Sequence, residues 1–277
     1  MSMKIGKWEL DTEHEVYIMG ILNVTPDSFS DGGSHISLDA CLRACEQMIR
    51  EGAYIIDVGG ESTRPGYTQI TEEEEIARVC PVIEAIRERF DIAISLDTYK
   101  SAVADAGMRS SADMINDIWG LKWDADMASV IVKHGGSVCL MHNRRAGADG
   151  QVLYEHFPED VVTDLAESIE IAKVSGIPSD QICIDPGIGF AKDYQQNLFM
   201  MKRLEILKEL ELPILLGTSR KSMIGYALDL PVGEREEGTA ATTVWGVERG
   251  CSIFRVHNVE ANYRAAKMAL AMMRAGA

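Results

Sequence analysis

The sequence contains no C-x-x-C pair, no H-E-x-x-H and no G-x-x-x-x-G-K-[ST]. Those absences leave a protein-caged zinc ion and a phosphate loop of the nucleotide-binding type unsupported. The six cysteines are Cys41, Cys45, Cys80, Cys139, Cys183 and Cys251. Cys139, Cys183 and Cys251 fall in or beside strand-like segments, where a thiol behaves as a small apolar side chain, so reduced buried thiols are expected. Basic charge is scarce: 27 Lys+Arg stand against 43 Asp+Glu, a formal charge of −16. With no basic, aromatic-interleaved stripe to offset it, that balance repels phosphate backbones, and no nucleic acid partner is expected. No apolar run approaches the roughly 20 residues of a membrane helix, so no membrane partner is expected either. The opening Met1-Ser-Met-Lys-Ile-Gly-Lys-Trp8 has no continuous apolar segment of the secretory kind, and a cytoplasmic location is the expectation.

Hydrophobic residues make up 46% of the 277-residue chain, enough for a large core. That length is long for an ordinary domain and normal for one α/β barrel. Eight short apolar runs stop at a polar residue or loop suited to chemistry. Residues 18–22 stop at Asn23, 54–58 at Gly59-Gly60-Glu61, 92–96 at Asp97 and 114–115 at Asn116-Asp117. Residues 138–141 stop at His142, 182–184 at Asp185, 214–216 at Gly217-Thr-Ser-Arg-Lys221, and 252–254 at Arg255-Val-His257. In a (β/α)₈ barrel the strand C-termini ring one mouth, where functional groups collect.

Helix-spaced segments fall between the strands, over residues 38–50, 71–90, 124–134, 158–175, 193–210, 234–249 and 260–274. Thr71 followed by Glu-Glu-Glu reads as a capped, acid-rich helix start. The alternation continues without a compositional break. The predicted architecture is a single α/β domain over 1–277, a (β/α)₈ TIM barrel over 17–277 preceded by an N-terminal hairpin region over 1–16. In that hairpin, residues 5–10 are expected to pair with 15–19 and to cover the closed end of the barrel. An open doubly wound sheet is the structural alternative.

The candidate chemistry sits in the loops after the strands. The first, Asn23-Val-Thr-Pro-Asp-Ser-Phe-Ser-Asp-Gly-Gly33, is polar, carries Phe29, and is longer than most βα connections. Its bland explanation is a solvated connection with turn residues. In the second, the paired Gly59-Gly60 lets the backbone approach a ligand, with Thr63 and Arg64 poised for an anion. Asp97, Asn116 and Asp185 each have a local explanation as a cap or turn residue. Converging on one axis, they suit a heterocycle with adjacent N–H donors, such as a 2-amino-4-oxo-pyrimidine edge, or paired-carboxylate acid/base work. Lys221 suits a Schiff-base nucleophile or a charged hydrogen-bond donor. Ser219 and Ser222 are candidate helix caps. Arg255 and His257, two apart on a strand end, project to the same side and suit an anion grip. Together with Arg64, Arg220 and Lys221 they make a local basic cluster in an acidic chain.

Five segments carry a resemblance: 21–33, Gly59-Gly-Glu-Ser-Thr-Arg-Pro65, Ile182-Cys-Ile-Asp-Pro-Gly-Ile-Gly-Phe190, Gly217-Thr-Ser-Arg-Lys-Ser222 and Arg255-Val-His257. Together they resemble the dihydropteroate synthases of bacterial folate biosynthesis, from about residue 17 to the end. The resemblance implies a homodimeric barrel that joins 6-hydroxymethyl-7,8-dihydropterin pyrophosphate to p-aminobenzoate with Mg²⁺, and that sulfonamides compete for. It implies that Asp97, Asn116, Asp185 and Lys221 hold the pterin, and that Asn23 helps hold Mg²⁺ and the diphosphate. Arg255, Val256 and His257 belong to the diphosphate end of the pterin site, and Thr63 lies between the two substrates. Phe29, Thr63, Arg64, Pro65, Phe190 and Ser222 form the p-aminobenzoate side. Asn23, Asp97, Lys221, Arg255 and His257 are the groups it implies for catalysis. Two positions depart from the family pattern, Asn258 after Arg-Val-His and Ala240 in Gly-Thr-Ala-Ala-Thr.

Three other functions fit parts of this set. A methyltetrahydrofolate-binding methyltransferase barrel would share the acids and Asn116 but would not need the diphosphate grip. A catalytically silent pterin-binding barrel would keep the pocket without the reaction. An aldolase would use Lys221 as a nucleophile.

Overall fold

The computed structural model describes residues 2–25, 37–61, 69–147 and 150–276. Among them, eight parallel strands form one sheet: β3 (Tyr17–Asn23), β4 (Ala53–Gly59), β5 (Ala93–Asp97), β6 (Met114–Asp117), β7 (Ser137–Met141), β8 (Ile182–Asp185), β9 (Leu215–Leu216) and β10 (Ile253–Val256). The order is β8-β7-β6-β5-β4-β3-β10-β9. The ends of that order meet through an Ile184–Ile214 bridge, with Ile184 N donating to Pro213 O at 3.0 Å. The sheet therefore closes into a barrel, its last seam narrower than the others, and the open-sheet alternative is set aside.

The strands read as near-continuous apolar runs because both faces are buried, as parallel strands require. Their period of two divides the side chains between layers. Ile18, Leu22, Ile56, Val58, Ile94, Leu96, Phe254 and Val256 pack outward into the helix layer. Met19, Ile55, Ala93, Met114, Cys139, Cys183, Leu215 and Ile253 point inward and fill the barrel, one from each strand. All six cysteines are unpaired thiols, five of them buried.

The lower end of this interior is covered by β1 (Ser2–Ile5) and β2 (Trp8–Asp11), which pair antiparallel. Their Met3, Ile5 and Leu10 belong to the same cluster as the inward strand residues. The hairpin thus lies where the sequence places it, but its pairing differs. Ile5 pairs with Trp8 across Gly6 and Lys7, and Gly6 has φ +57°. That glycine makes a two-residue turn inside the 5–10 segment, which is itself the end of one strand and the start of the other. Residues 17–19 belong to the barrel instead, paired with β4 and β10.

The outer layer contains α1 (Leu38–Arg50), α2 (Glu72–Arg89), α3 (Ser101–Arg109), α4 (Met127–His134), α5 (Glu159–Ser175), α6 (Tyr194–Lys202), α7 (Ser222–Leu228), α8 (Glu236–Glu248) and α9 (Val259–Arg274). Thr71 caps α2 by accepting from Glu74 N, ahead of four acids in the first turn. The helix expected over 193–210 divides at Arg203 into α6 and a 3₁₀ segment, Leu204–Leu210. Asn258, one of the two departures, caps α9 by accepting from Ala261 N at 3.1 Å. An aspartate would make the same bond, so the exchange leaves the helix start intact.

Candidate active site

The polar residues at the strand ends stand one and two steps above the apolar filling. On β4 the inward alternation continues from Ile55 to Asp57, a fully buried carboxylate inside the apolar run of residues 54–58. Arg255 of β10 reaches across to it, donating from Nε to Asp57 Oδ2 at 2.6 Å and from a terminal nitrogen to Asp97 Oδ2 at 2.6 Å. Asn116 Nδ2 donates to the same Asp57 oxygen at 3.3 Å. Asp57 Oδ1 and Ser95 Oγ are buried and have no partner, and the two residues are in register on neighbouring strands.

Burial raises the Asp97 carboxyl to about 7, with Arg255 opposing and Asp57 adding to the rise. Burial works against the Arg255 charge, but Asp57 and Asp97 more than offset it and raise its pKa. Asp185, at the end of β8, is also raised by burial, with Lys221 opposing. Its Oδ1 accepts Gly187 N–H at 2.7 Å. A Cβ on Gly217 would sit 3.5 Å from Asp185 Oδ2 and 3.9 Å from Lys221 Nζ, so the missing side chain keeps the space between them open.

Lys221 donates to Ile188 O and stands 4.6 Å over the Phe190 ring. Burial lowers its ammonium to about 8, Asp185 opposing. Ser219 bridges within the anion side: its Oγ lies 2.9 Å from His257 Nδ1 and accepts His257 N–H at 3.1 Å. Ser219 is therefore a partner of His257, and α7 starts at Ser222 with Lys221 at its N-cap and no side-chain cap.

The structure brings Asp97, Asn116, Asp185, Lys221, Arg255 and His257 to one end of the barrel, with Asn23 at the end of β3. Phe190 lies on the loop after β8, and Ser222 opens helix α7 beyond β9. Phe29, Thr63, Arg64 and Pro65 fall outside the described residues. Val256 points away from the site, into the helix layer, so its side chain has no place in the pocket. Arg220 turns aside to an ion pair with Glu236, and Arg255 is matched by two carboxylates. Among the described residues of the expected basic cluster, Arg220 and Arg255 are thus ion-paired. Gly60 also has a different reason than expected: a Cβ there would be 2.7 Å from Val79 Cγ1, so it admits helix α2.

Asp57 is a site residue that the 54–58 run conceals. The signal was present in the alternation Ile55, Asp57, Gly59, which puts an acid on the inward face. Two further groups stand behind the loops without a local signal, Lys100, which is buried, and Lys192, which is half-buried. Lys100 joins Glu61 at 2.8 Å and Glu75 at 2.7 Å, and it donates to Ile70 O at 2.9 Å. Lys192 joins His142 at 2.8 Å.

Comparison with known proteins agrees with this geometry. The family described as pterin binding enzyme matches residues 19–257. The dihydropteroate synthase of Clostridium beijerinckii is 56% identical over 267 residues, covering 96% of this chain and 97% of the relative. A crystal structure of dihydropteroate synthase from Clostridium difficile in the presence of pteroic acid superposes with a TM-score of 0.91 at 48% identity, covering 96% of this chain and 99% of that one. The Yersinia pestis dihydropteroate synthase with a sulfonamide drug gives a TM-score of 0.90 at 39% identity, covering 99% and 100%. A family match over most of the chain and a relative this similar, on a barrel with these groups at its mouth, establish the chain as a member of the pterin binding enzymes and, within them, of the dihydropteroate synthases.

Proposed function

We propose that this enzyme joins 6-hydroxymethyl-7,8-dihydropterin pyrophosphate to p-aminobenzoate, giving 7,8-dihydropteroate and pyrophosphate, with the pterin seated on the buried strand-end acids. The observation that carries the seat is the convergence of Asp57, Asp97, Asn116 and Asp185 on one end of the barrel. A carboxylate accepts two parallel N–H bonds, and the 2-amino-4-oxo edge of a pterin offers adjacent donors. Lys221, lowered toward neutrality by burial, is a compact donor beside Asp185 for a ring nitrogen or oxygen.

Cleavage of the methylene–oxygen bond leaves positive charge delocalised into the pterin and a diphosphate leaving group. Arg255 and His257 are assigned to that leaving charge, where fixed donors in a desolvated site act without reorganising. Two of the five Arg255 donors are committed to Asp57 and Asp97, which holds the guanidinium in place. The aromatic amine then attacks the methylene carbon, so no protein nucleophile is needed. Phe190 and Ser222 are assigned to the p-aminobenzoate side, together with Phe29, Thr63, Arg64 and Pro65 on the first two loops.

Mg²⁺ fits this donor set as an ion delivered with the diphosphate. Asn23 brings one amide oxygen to the mouth, and among the described residues no three His, Cys, Asp or Glu gather as a cage. Magnesium is commonly held by one or two protein oxygens together with substrate phosphates and water. When bound, it would draw charge from the departing diphosphate.

Two assembly-level assignments complete the proposal. A homodimer is supported by exposed apolar residues on α7 and α9, among them Tyr226, Met268, Met272 and Met273. A cytoplasmic setting is compatible with the absence, among the described residues, of any helix long and apolar enough to cross a membrane. The decisive experiment incubates purified protein with the pterin pyrophosphate, p-aminobenzoate and Mg²⁺ and looks for dihydropteroate by mass spectrometry. Pterin bound without product would favour a silent pterin-binding barrel.

A further inference from the structure

The loop between β8 and α6 is held from behind by a network that the reaction does not call on. Lys192, half-buried at the end of that loop, turns its ammonium back beneath it. Nζ lies 2.8 Å from His142 Nδ1, 3.1 Å from Gly187 O and 3.2 Å from Phe190 O. An ammonium has three donors and no acceptor, so these three partners use all of it.

The imidazole is prepared from its other side. His142 Nε2 is 2.9 Å from Asp164 Oδ2, and Arg144 bonds both oxygens of that carboxylate at 2.5 and 3.1 Å. Burial lowers His142 to about 4, which keeps the ring neutral. The single ring proton then belongs on Nε2, facing the carboxylate, and Nδ1 remains an acceptor for Lys192. Burial also lowers Lys192 itself, to about 7, with Asp185 opposing and Lys221 adding to the fall.

The remaining polar groups of the loop are tied as closely. Gly189 N–H donates to Asn197 Oδ1 at 2.6 Å, and Asn197 Nδ2 returns to Lys192 O at 3.0 Å. Tyr154 donates to Ala191 O at 2.8 Å. Lys221 grips the front of the same loop through Ile188 O, and its ammonium meets the Phe190 ring. One lysine therefore holds the loop from the pocket side and another from the protein side.

We infer that Lys192 is a positioning residue for the second substrate, fixing the carbonyls of Gly187 and Phe190 so that the Phe190 ring stands against Lys221. Its action is indirect, through a wall assigned to p-aminobenzoate; it does not touch Asp57, Asp97 or Asn116, and it meets the pterin side only through the Gly187 backbone, whose N–H donates to Asp185.

The test uses Lys192→Met, which keeps the stem and removes the three donors. The KM for p-aminobenzoate is expected to rise about tenfold to a hundredfold, as for loss of a charged hydrogen bond. The KM for the pterin pyrophosphate should move several-fold less, since Lys192 reaches the pterin side only through Gly187. Lys192→Arg should not rescue, because a planar fork does not converge on three such acceptors. A rescue by Lys192→Arg, or a folded Lys192→Met whose two KM values move together or not at all, overturns the inference. Asp164→Asn, which weakens the hold on His142 from a distance, should shift the same KM in the same direction to a smaller extent. If Lys192→Met does not fold, that variant decides: a KM for p-aminobenzoate that does not move overturns the inference. Because the inference rests on p-aminobenzoate being the second substrate, amide exchange supplies an independent readout. Lys192→Met, or Asp164→Asn in its place, should speed exchange at Gly189 and Phe190 selectively, and unchanged exchange there overturns the inference. A wild-type protein that makes no dihydropteroate would instead defeat the functional proposal, leaving exchange to judge Lys192.

Discussion

Replacing Asp185 by asparagine isolates the pterin seat from the fold. The carboxylate is buried at the end of β8, and its Oδ1 accepts Gly187 N–H at 2.7 Å. An amide has nearly the same volume and keeps that bond with its oxygen. Its NH₂ group is then turned toward the space beside Gly217 and Lys221, where a pterin would present its own N–H donors. Two charge-assisted bonds are lost and donors face donors. At about 1.5 kcal/mol for each bond to a charged group, the lower end of the usual range, the loss is about 3 kcal/mol. That corresponds to a dissociation constant weakened more than about a hundredfold. Calorimetric titration of the pterin pyrophosphate into wild type and Asp185→Asn measures it directly, with thermal unfolding of both as the control for folding. A folded variant that binds the pterin as tightly as wild type refutes the assignment of Asp185 and the donor–acceptor argument behind it.

Lys221 is expected to act as a hydrogen-bonding cation. Its lowered pKa of about 8 would also suit an amine nucleophile, so an adduct trapped by borohydride on Lys221 would reverse that role. Lys221→Arg should lose most activity, since the fork cannot fit between Asp185 and Ile188 O. Asp97, raised to about 7 by burial, keeps a proton in the folded state that the unfolded chain releases near its ordinary value. Its contribution therefore makes stability fall as pH rises from about 4 to about 7. His142, lowered to about 4, acts with the opposite sign, so the readout is the difference in urea midpoints between wild type and Asp97→Asn. Asp97→Asn should lose less stability, or gain more, than wild type between pH of about 5 and about 7, and parallel pH profiles would reject the shift. Gly187→Ala should destabilise the fold by about 2 kcal/mol or more. The residue has φ +66°, and a Cβ there would lie 2.0 Å from His142 O; urea unfolding indistinguishable from wild type would show that the β7 end yields.

Much of this molecule was written plainly in its chain. The inward side chains of the barrel follow a period of two, and each strand end carries its chemistry one residue beyond the last apolar position. That is why Asp97, Asn116, Asp185 and Arg255 were legible. Asp57 was not, because a single acid inside an apolar run has no local signature; only its phase relative to Ile55 and Gly59 identifies the face. Lys192 and Lys100 were hidden for another reason. Their meaning lies in partners 50 and 39 residues away, His142 and Glu61, and no local pattern encodes such a pairing. Helix α3, nine residues with Ala and Gly and no side-chain cap, lacked the usual start and stop signals. The split at Arg203 likewise follows from packing, since the helix and the 3₁₀ segment share one apolar pattern.

The hairpin that buries Met3, Ile5 and Leu10 among the inward strand residues has a consequence for traffic. It makes the barrel a well with a sealed floor, so everything that arrives or departs uses one opening. The deep acids lie between that floor and the opening, so an occupant of the upper site stands across the way to them. Chemistry at the junction then fuses the lower occupant to the upper one. In the proposed reaction, the pterin, the second substrate and the product would all share that single opening.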